Sequence, residues 1–303
     1  MSLAFESDPA TTSGLAAQTA SRTPVPTTVL MCPPTYFDVL YAINPWMDPS
    51  VPTDTVLAVA QWTELRDTYT SLGIEVHEIE GVPGLPDMVY AANGATVVDG
   101  IAYTASFLFP ERQPEGAAYA AWLAKAGYTV VEATAVNEGE GDFLLVGDAI
   151  LAGTGFRSTL RSHDELRRVF GREVVTLGLV RPEYYHLDTA LAVLDARPGH
   201  EFIAYLPSAF TPESLAELER RFPDAIIVDE EEAAMLGLNI VSNGRDVVMP
   251  ARAERFAEAL RERGFNPVGV NLSELLKGGG GVKCCTLALR SSDLPRSAEV
   301  QGD

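Results

Sequence analysis

Two periodicities in the hydrophobic and polar positions predict strands and helices that alternate along this chain. Short apolar runs rich in β-branched residues are typical of buried strands, and they occupy residues 27–31, 75–79, 129–132, 190–194, 225–228 and 266–270. Longer patterned segments predict helices at residues 54–72, 114–126, 162–170, 211–222 and 251–263.

Two of the helix starts carry a specific capping pattern. Ser162 and Glu165 fit a capping box, in which the two side chains bond the first backbone amides of the helix. Thr211 precedes Pro212, and proline is favoured at the first helical position. We therefore expect helices to begin at these two points.

The helix starts follow one another at intervals of about 40 to 60 residues, which is typical of a closed array of similar units. The same alternation of strands and helices is compatible with an ordinary doubly wound sheet. The period by itself therefore predicts an α/β fold and leaves two architectures open.

The acidic composition narrows the kinds of partner. The chain has 303 residues, enough to bury a large core, and a formal net charge of −20. This charge argues against nucleic acid or an anionic membrane as a partner, because either needs a basic face. A small cationic substrate is compatible with it, although a solvated acidic surface explains the charge more simply.

Cysteine use and hydropathy predict a cytoplasmic location. Three cysteines, two of them adjacent, do not make a disulfide framework, and no apolar run reaches the roughly 18 residues of a membrane span. Residues 1–25 are rich in Ser, Thr, Ala and Pro, without the basic start and apolar centre of a signal peptide. We interpret them as a disordered tail.

Cys284 lies in the most distinctive segment of the chain, directly after four consecutive glycines at 278–281 and the pair Val282-Lys283. Glycines open unusual backbone conformations and leave a neighbouring sulfur accessible to a ligand, so Cys284 is a candidate nucleophile. The run lacks the Gly-Lys-Ser/Thr ending of a phosphate-binding loop. If the segment is a strand, Cys285 points to the opposite face and is an inert buried residue.

A thiol nucleophile needs a partner that handles protons, and His186 is the best-placed of the four histidines. The sequence His186-Leu187-Asp188 leads into the predicted strand 190–194, which puts a carboxylate two residues away on the same strand face. His163 falls in the first turn of the helix predicted from Ser162, His77 in a strand and His200 in a turn.

Several motifs together resemble one superfamily, the guanidino-group modifying enzymes. The motifs are Cys-x-Thr at 284–286, His-Leu-Asp-Thr at 186–189, and the segments 86–94, 138–142 and 153–158. They occur in the superfamily's order and extend the resemblance from about residue 27 to about 291. The resemblance implies the pentein fold, a five-bladed α/β propeller, formed here by one catalytic domain over residues 26–303.

The resemblance also implies a reaction and its participants. Cys284 would add to the guanidino carbon to form a thiouronium intermediate, and His186 would protonate the departing nitrogen and then activate water. Asp188 and an acid of the segment 138–142 would grip the guanidinium. Glu138 is our choice among Glu138, Glu140 and Asp142, whose register against the family pattern is open.

The remaining site residues are also implied by the resemblance. Asp87 and Asn44 would hold the amino-acid end of the substrate, and Arg112 and Arg157 would bind its carboxylate through bidentate pairing. Asn93 would also bind the substrate. No cofactor and no metal are implied, and the oligomeric state, including a homo-oligomer, stays open.

Asn93 decides among the activities of the superfamily. Deiminases and dimethylargininases usually carry aspartate at this position, and dimethylargininases commonly have lysine where this chain has Asp188. Asparagine resembles the arginine dihydrolases, which release ornithine, so an arginine dihydrolase is favoured. A dimethylargininase, a deiminase, an amidinotransferase and a catalytically silent arginine-binding protein are the alternatives.

Overall fold

Five separate three-stranded sheets form the framework of the part of the chain that the computed structural model describes, residues 22–290. Their strands are β1 (Thr28–Met31), β2 (Glu75–Glu78), β3 (Ala95–Val98), β4 (Ile101–Thr104), β5 (Thr129–Val131), β6 (Phe143–Val146), β7 (Ala149–Thr154), β8 (Glu173–Gly178), β9 (Leu191–Asp195), β10 (Phe202–Tyr205), β11 (Ile226–Ile227), β12 (Val241–Ser242), β13 (Asp246–Pro250), β14 (Asn266–Val270) and β15 (Leu287–Ala288).

Five helices, each between the last two strands of a unit, complete the repeat. They are α1 (Thr55–Ser71), α2 (Gln113–Lys125), α3 (Leu160–Phe170), α4 (Pro212–Arg221) and α5 (Glu254–Glu262). In a typical unit β3 and β4 form an antiparallel hairpin, α2 follows, and β5 returns parallel to β4. This ββαβ order repeats in the units β6–β8, β9–β11 and β12–β14.

The first unit is assembled from both ends of the described chain. Strand β1 pairs in parallel with β2 and antiparallel with β15, where Val29 faces Ala288 and Leu30 faces Leu287. The C-terminal strand therefore completes the sheet that the N-terminal strand begins, and the array closes on itself. The five sheets confirm the predicted five-bladed pentein architecture and exclude one continuous doubly wound sheet.

Each of the five helices packs on its unit through a fully buried leucine. Leu65, Leu123, Leu166, Leu218 and Leu260 all have 0% of their surface exposed. Burial of a leucine side chain stabilises a fold by roughly 1.5–3 kcal/mol, so the helices are held mainly by this apolar face.

The two capping predictions had different outcomes. The Thr211 side chain accepts a hydrogen bond from the backbone amide of Ser214, so the predicted start of α4 is confirmed. The capping box at Ser162 is wrong, because α3 begins at Leu160 and the Ser162 hydroxyl donates instead to the carbonyl of Thr159. Glu165 accepts hydrogen bonds from Tyr103 and from the loop at 134–135.

Two local predictions near the candidate site were also wrong. Residues Leu187–Ala190 form a helical turn, and β9 begins only at Leu191, so His186 and Asp188 do not share a strand face. Cys284 and Cys285 lie in a turn that precedes β15, so the two thiols are not separated by strand alternation.

Of the predicted tail, residues 1–21 lie outside the described part of the chain. Arg22 donates to the carbonyl of Arg263, and Val25 donates to the carbonyl of Asn243. Residues 22–25 therefore contact the fifth unit, which consists of β12–β14 and α5. No helix in the described range 22–290 is long and apolar enough to cross a membrane.

Candidate active site

The loops that enter the first strand of each unit converge and bring the predicted reactive residues together. Asn93 and Glu138 are 45 positions apart and are joined by a hydrogen bond, and Glu138 bonds His186, which is 48 positions further on. Another 45-residue step links Asn239 to Cys284. Each unit thus supplies one residue from the equivalent loop: Asn93 ahead of β3, Glu138 ahead of β6, His186 ahead of β9, Asn239 ahead of β12 and Cys284 ahead of β15.

The Cys284 sulfur lies beside a carboxylate and an amide. Its thiol donates to Oδ2 of Asp188 at 3.5 Å, and Nδ2 of Asn239 donates to the sulfur at 3.1 Å. Burial, and next the nearby charge of Asp188, raise the pKa of the thiol well above its ordinary value. The resting sulfur is therefore protonated, and a cation placed beside it would favour the thiolate.

The glycines ahead of Cys284 have a packing role that the sequence did not reveal. A Cβ on Gly280 would lie 2.2 Å from the ring of Tyr90, and one on Gly278 would lie 2.1 Å from its hydroxyl. Tyr90 in turn donates to the carbonyl of Leu275 at 2.6 Å. The absence of side chains lets the loop close over this ring, which fixes the backbone just before Cys284.

His186 is held by the buried ion pair between Glu138 and Arg157. Its Nε2 donates to Oε2 of Glu138 at 2.7 Å, and Nη1 of Arg157 donates to the same oxygen at 2.9 Å. Burial by itself would raise the pKa of Glu138, but the charge of Arg157 and the bond from His186 outweigh it and lower that pKa to about 2. Glu138 is therefore ionised and fixes the orientation of the imidazole.

The neighbouring acids of the segment 138–142 have other partners. Glu140 accepts hydrogen bonds from Lys283 at 2.8 Å and from the amide of Ala288 at 3.0 Å, which ties this segment to the C-terminal strand. Asp142 accepts from Ser158 at 2.6 Å and from the amide of Leu187 at 3.2 Å. Among these three acids, only Glu138 is hydrogen-bonded to His186.

Asp188 combines burial with an unused oxygen. Within the described residues its Oδ1 has no hydrogen-bond partner, although the side chain is 1% exposed. Burial raises the pKa of Asp188 to about 7, against the opposing charge of Lys283. A buried carboxylate oxygen without a partner is costly, so this atom is suited to accept an N–H from a bound cation.

Arg112 fixes the amide of Asn93. Nη1 of Arg112 donates to Oδ1 of Asn93 at 2.9 Å, while Nε and Nη2 form a two-pronged pair with Glu115. The amide oxygen is thereby occupied, and Nδ2 of Asn93 turns toward the carbonyl of Glu138, 3.5 Å away. Asn93 consequently presents an N–H donor, not an acceptor, on the side that faces Glu138.

The remaining predicted residues lie on the chain between β1 and β3. Asn44 donates to the carbonyl of Gly278 at 3.1 Å, so it contacts the glycine loop. Oδ2 of Asp87 accepts from the hydroxyl of Tyr41 at 2.9 Å, whereas its Oδ1 is buried without a partner in the range 22–290. Arg157 also donates to the carbonyl of Ile43 at 2.7 Å. These contacts fasten the segment between β1 and α1 to the site.

Asn239 is the residue that the sequence analysis missed. Its Oδ1 accepts from the amides of Lys283 at 2.9 Å and Cys284 at 3.1 Å, and its Nδ2 also donates to the carbonyl of Asp188 at 3.1 Å. The sequence offered one indication of its role. Asn239 is a polar residue between Leu238 and Ile240, in a unit that supplied no other candidate.

The other candidate groups lie apart from this cluster or form none of its bonds. His163 is buried, and its two ring nitrogens contact Thr176 at 2.9 Å and the carbonyl of Gly153 at 3.1 Å. Cys285 is fully buried within an apolar cluster. No group of three or more His, Cys, Asp or Glu in the described part of the chain is arranged to hold a metal ion.

Comparison with known proteins identifies the family. The chain is 53% identical over 270 residues to a dimethylarginine dimethylaminohydrolase of Mycobacterium tuberculosis, covering 89% of this chain and 88% of that protein. It is 36% identical to the bifunctional arginine dihydrolase/ornithine cyclodeaminase ArgZ of Synechocystis, covering 88% of this chain but only 38% of that longer protein. No protein-family model matches the chain.

Solved structures agree with these relatives. The N-terminal domain of ArgZ, an arginine dihydrolase from cyanobacteria, superposes with a TM-score of 0.84 at 36% identity and covers 88% of this chain and 98% of that domain. A dimethylarginine dimethylaminohydrolase structure at 20% identity has a TM-score of 0.70 and supports the fold alone. The chain therefore belongs to the guanidino-group modifying family of dimethylarginine dimethylaminohydrolases and arginine dihydrolases, which are hydrolases of C–N bonds in linear amidines.

Proposed function

We propose that this chain is an arginine dihydrolase, which converts arginine to ornithine, carbon dioxide and two molecules of ammonia with the uptake of two waters. The observation that carries the proposal is Asp188, whose Oδ2 lies 3.5 Å from the Cys284 sulfur and whose buried Oδ1 has no hydrogen-bond partner among residues 22–290. Both terminal nitrogens of arginine carry N–H groups for these oxygens. Asymmetric dimethylation removes every N–H from one of those nitrogens, so unmethylated arginine suits this carboxylate better.

Substrate charge prepares the nucleophile in this proposal. A guanidinium beside Asp188 favours the carboxylate form and stabilises negative charge on the sulfur. The thiol proton passes to His186, the resulting thiolate adds to the central carbon, and the electron pair of the C=N bond moves to nitrogen. His186 then gives a proton to one terminal nitrogen, the C–N bond breaks and ammonia leaves, which forms the thiouronium.

Water completes the first round. His186, held by Glu138, accepts a proton from the water as its oxygen attacks the thiouronium carbon. The C–S bond breaks, the sulfur recovers its electron pair, and citrulline is formed. A variant of the related ArgZ domain has been solved covalently bound to a reaction intermediate, which supports a covalent route for that relative.

Asn93 supports the second round. Citrulline carries a carbonyl oxygen where arginine carried a nitrogen, and this oxygen accepts hydrogen bonds. The Nδ2 group of Asn93, turned inward because Arg112 holds Oδ1, is a donor suited to that oxygen. An aspartate at position 93 would offer only acceptors, so it would favour the guanidinium and not the ureido group.

The α-ammonium and α-carboxylate groups of the substrate require a negatively charged and a positively charged partner, respectively. We propose that Asp87 binds the α-ammonium group with help from Asn44, through the Oδ1 atom that has no hydrogen-bond partner in the described part of the chain. Arg112 and Arg157 are proposed to bind the carboxylate. Each already neutralises an internal acid, Glu115 and Glu138 respectively, so binding there would extend existing ion pairs.

A dimethylargininase is the second candidate function. It is favoured by the relative from Mycobacterium tuberculosis, which is 53% identical and bears that name. The two reactions differ in their products, because a dimethylargininase releases dimethylamine and citrulline from dimethylarginine. An amidinotransferase would need an amine acceptor, and an arginine-binding protein would release no product.

The proposal predicts the products of the wild-type protein and of an Asn93→Asp variant. Wild type given arginine yields ornithine and two ammonia per turnover, whereas Asn93→Asp stops at citrulline because the inward donor is lost. Time-resolved mass spectrometry of the products measures both. Citrulline as the sole product of the wild type, or a clearly higher specificity constant for dimethylarginine, would contradict the dihydrolase proposal.

The identity of the nucleophile predicts a contrast between the adjacent cysteines. Cys284→Ser abolishes ammonia release, because a serine hydroxyl is a far weaker nucleophile at neutral pH. Cys285→Ser keeps most of the activity, since the sulfur that contacts Asp188 and Asn239 is that of Cys284. Initial rates and thermal melting of both variants provide the test, and loss of activity in a folded Cys285→Ser alone would identify the wrong sulfur.

The proton-handling role predicts a large loss in His186→Ala. Turnover falls by at least about two orders of magnitude, the scale typical of a lost general acid/base. His163→Ala is the matched control, a buried histidine held by Thr176 and a backbone carbonyl. A nearly normal rate in folded His186→Ala would remove His186 from the proposal, and a large loss in folded His163→Ala would make that residue the next candidate.

A further inference from the structure

Asn239 uses its whole hydrogen-bonding capacity to join the two sides of the reaction centre. Two backbone amides donate to its oxygen, and its two N–H groups reach the Cys284 sulfur and the carbonyl of Asp188. The side chain is 0% exposed. A residue with four specific contacts and no route to solvent has its orientation fixed before any ligand binds.

The position of Asn239 repeats that of the other reactive residues. It enters β12 as Asn93 enters β3 and as Cys284 enters β15, so it is the contribution of the fifth unit to the same centre. Its amide donates directly to the sulfur at 3.1 Å, and the thiol faces the carboxylate of Asp188 at 3.5 Å. The sulfur therefore contacts a neutral hydrogen-bond donor, Asn239, and a carboxylate, Asp188.

We propose that Asn239 is a positioning residue for the Cys284 nucleophile, which holds the thiol against Asp188 and stabilises its thiolate through the Nδ2 hydrogen bond. This inference rests on the proposed role of Cys284. A hydrogen bond to a charged form favours that form, so the amide makes the thiolate more accessible at neutral pH. The two bonds from Oδ1 keep the Lys283–Cys284 backbone in the geometry that points the sulfur at Asp188.

Substitution by aspartate separates the two functions of the amide. Asn239→Asp keeps an oxygen for the two backbone amides but replaces the donor beside the sulfur by a second acceptor. Asn239→Leu has similar size, carries no charge and removes the donor without adding repulsion. Asn243 is the matched control, because its Oδ1 also accepts two backbone amides, from Arg245 and Asp246, in the outer turn ahead of β13.

The thiolate is measured by its rate of alkylation with iodoacetamide between about pH 7 and 12, with tandem mass spectrometry to separate Cys284 from Cys285. In Asn239→Asp the midpoint for Cys284 rises by at least about one pH unit, so alkylation at neutral pH slows roughly tenfold. Asn239→Leu shifts the midpoint in the same direction by less. Asn243→Asp keeps the wild-type midpoint, and both Asn239 variants lose turnover through kcat with little change in KM.

A folded Asn239→Asp with the wild-type alkylation midpoint would overturn this inference. If that variant does not fold, an unchanged midpoint in Asn239→Leu would overturn it equally. The alkylation assay uses no guanidino substrate, so it is independent of the proposed function. A wild type that yields no ornithine, combined with a shifted midpoint in Asn239→Asp, would reject the dihydrolase and leave the role of Asn239 standing.

Discussion

The pairing of β15 with β1 is the interaction on which the rest of the structure depends. It closes the ring of five units, and it delivers Cys284, three positions before Leu287, to the centre where the loops ahead of the first strands of the other units converge. The closure is reinforced from inside the ring, since Glu140 accepts hydrogen bonds from Lys283 and from the amide of Ala288. The strand that completes the fold therefore also completes the site.

Buried charge at the centre is tolerated because most of it is paired. Glu138 is paired with Arg157 and accepts a hydrogen bond from His186, Arg112 is paired with Glu115, and Lys283 with Glu140. Asp188 differs from these acids, because its Oδ2 accepts from the Cys284 thiol at 3.5 Å and burial raises its pKa to about 7. A guanidinium bound there would supply the missing partner, so substrate binding and thiolate formation are expected to occur together.

The repeat was predicted from the sequence, and the candidate residues that the sequence singled out lie close together in the structure. Helix spacing and the motifs around Cys284 and His186 predicted five α/β units, and Glu138 is the acid of its segment that contacts His186. Local details were harder, because the turn at Leu187–Ala190 is fixed by contacts from other units, such as the bond from the amide of Leu187 to Asp142. Asn239 was missed because a single asparagine in an apolar segment has no local signature, and its four partners come from loops 44 or more residues away.

The central claim, covalent attack by Cys284 on the guanidino carbon, is tested most directly by trapping the intermediate. Wild-type protein would be mixed with arginine labelled at the guanidino carbon, quenched in acid after milliseconds to seconds, digested and analysed by mass spectrometry. The account predicts a transient labelled adduct on the Cys284 peptide that is absent from Cys284→Ser. Turnover of arginine with no labelled peptide at any quench time, or a label on Cys285 or another residue, would contradict it.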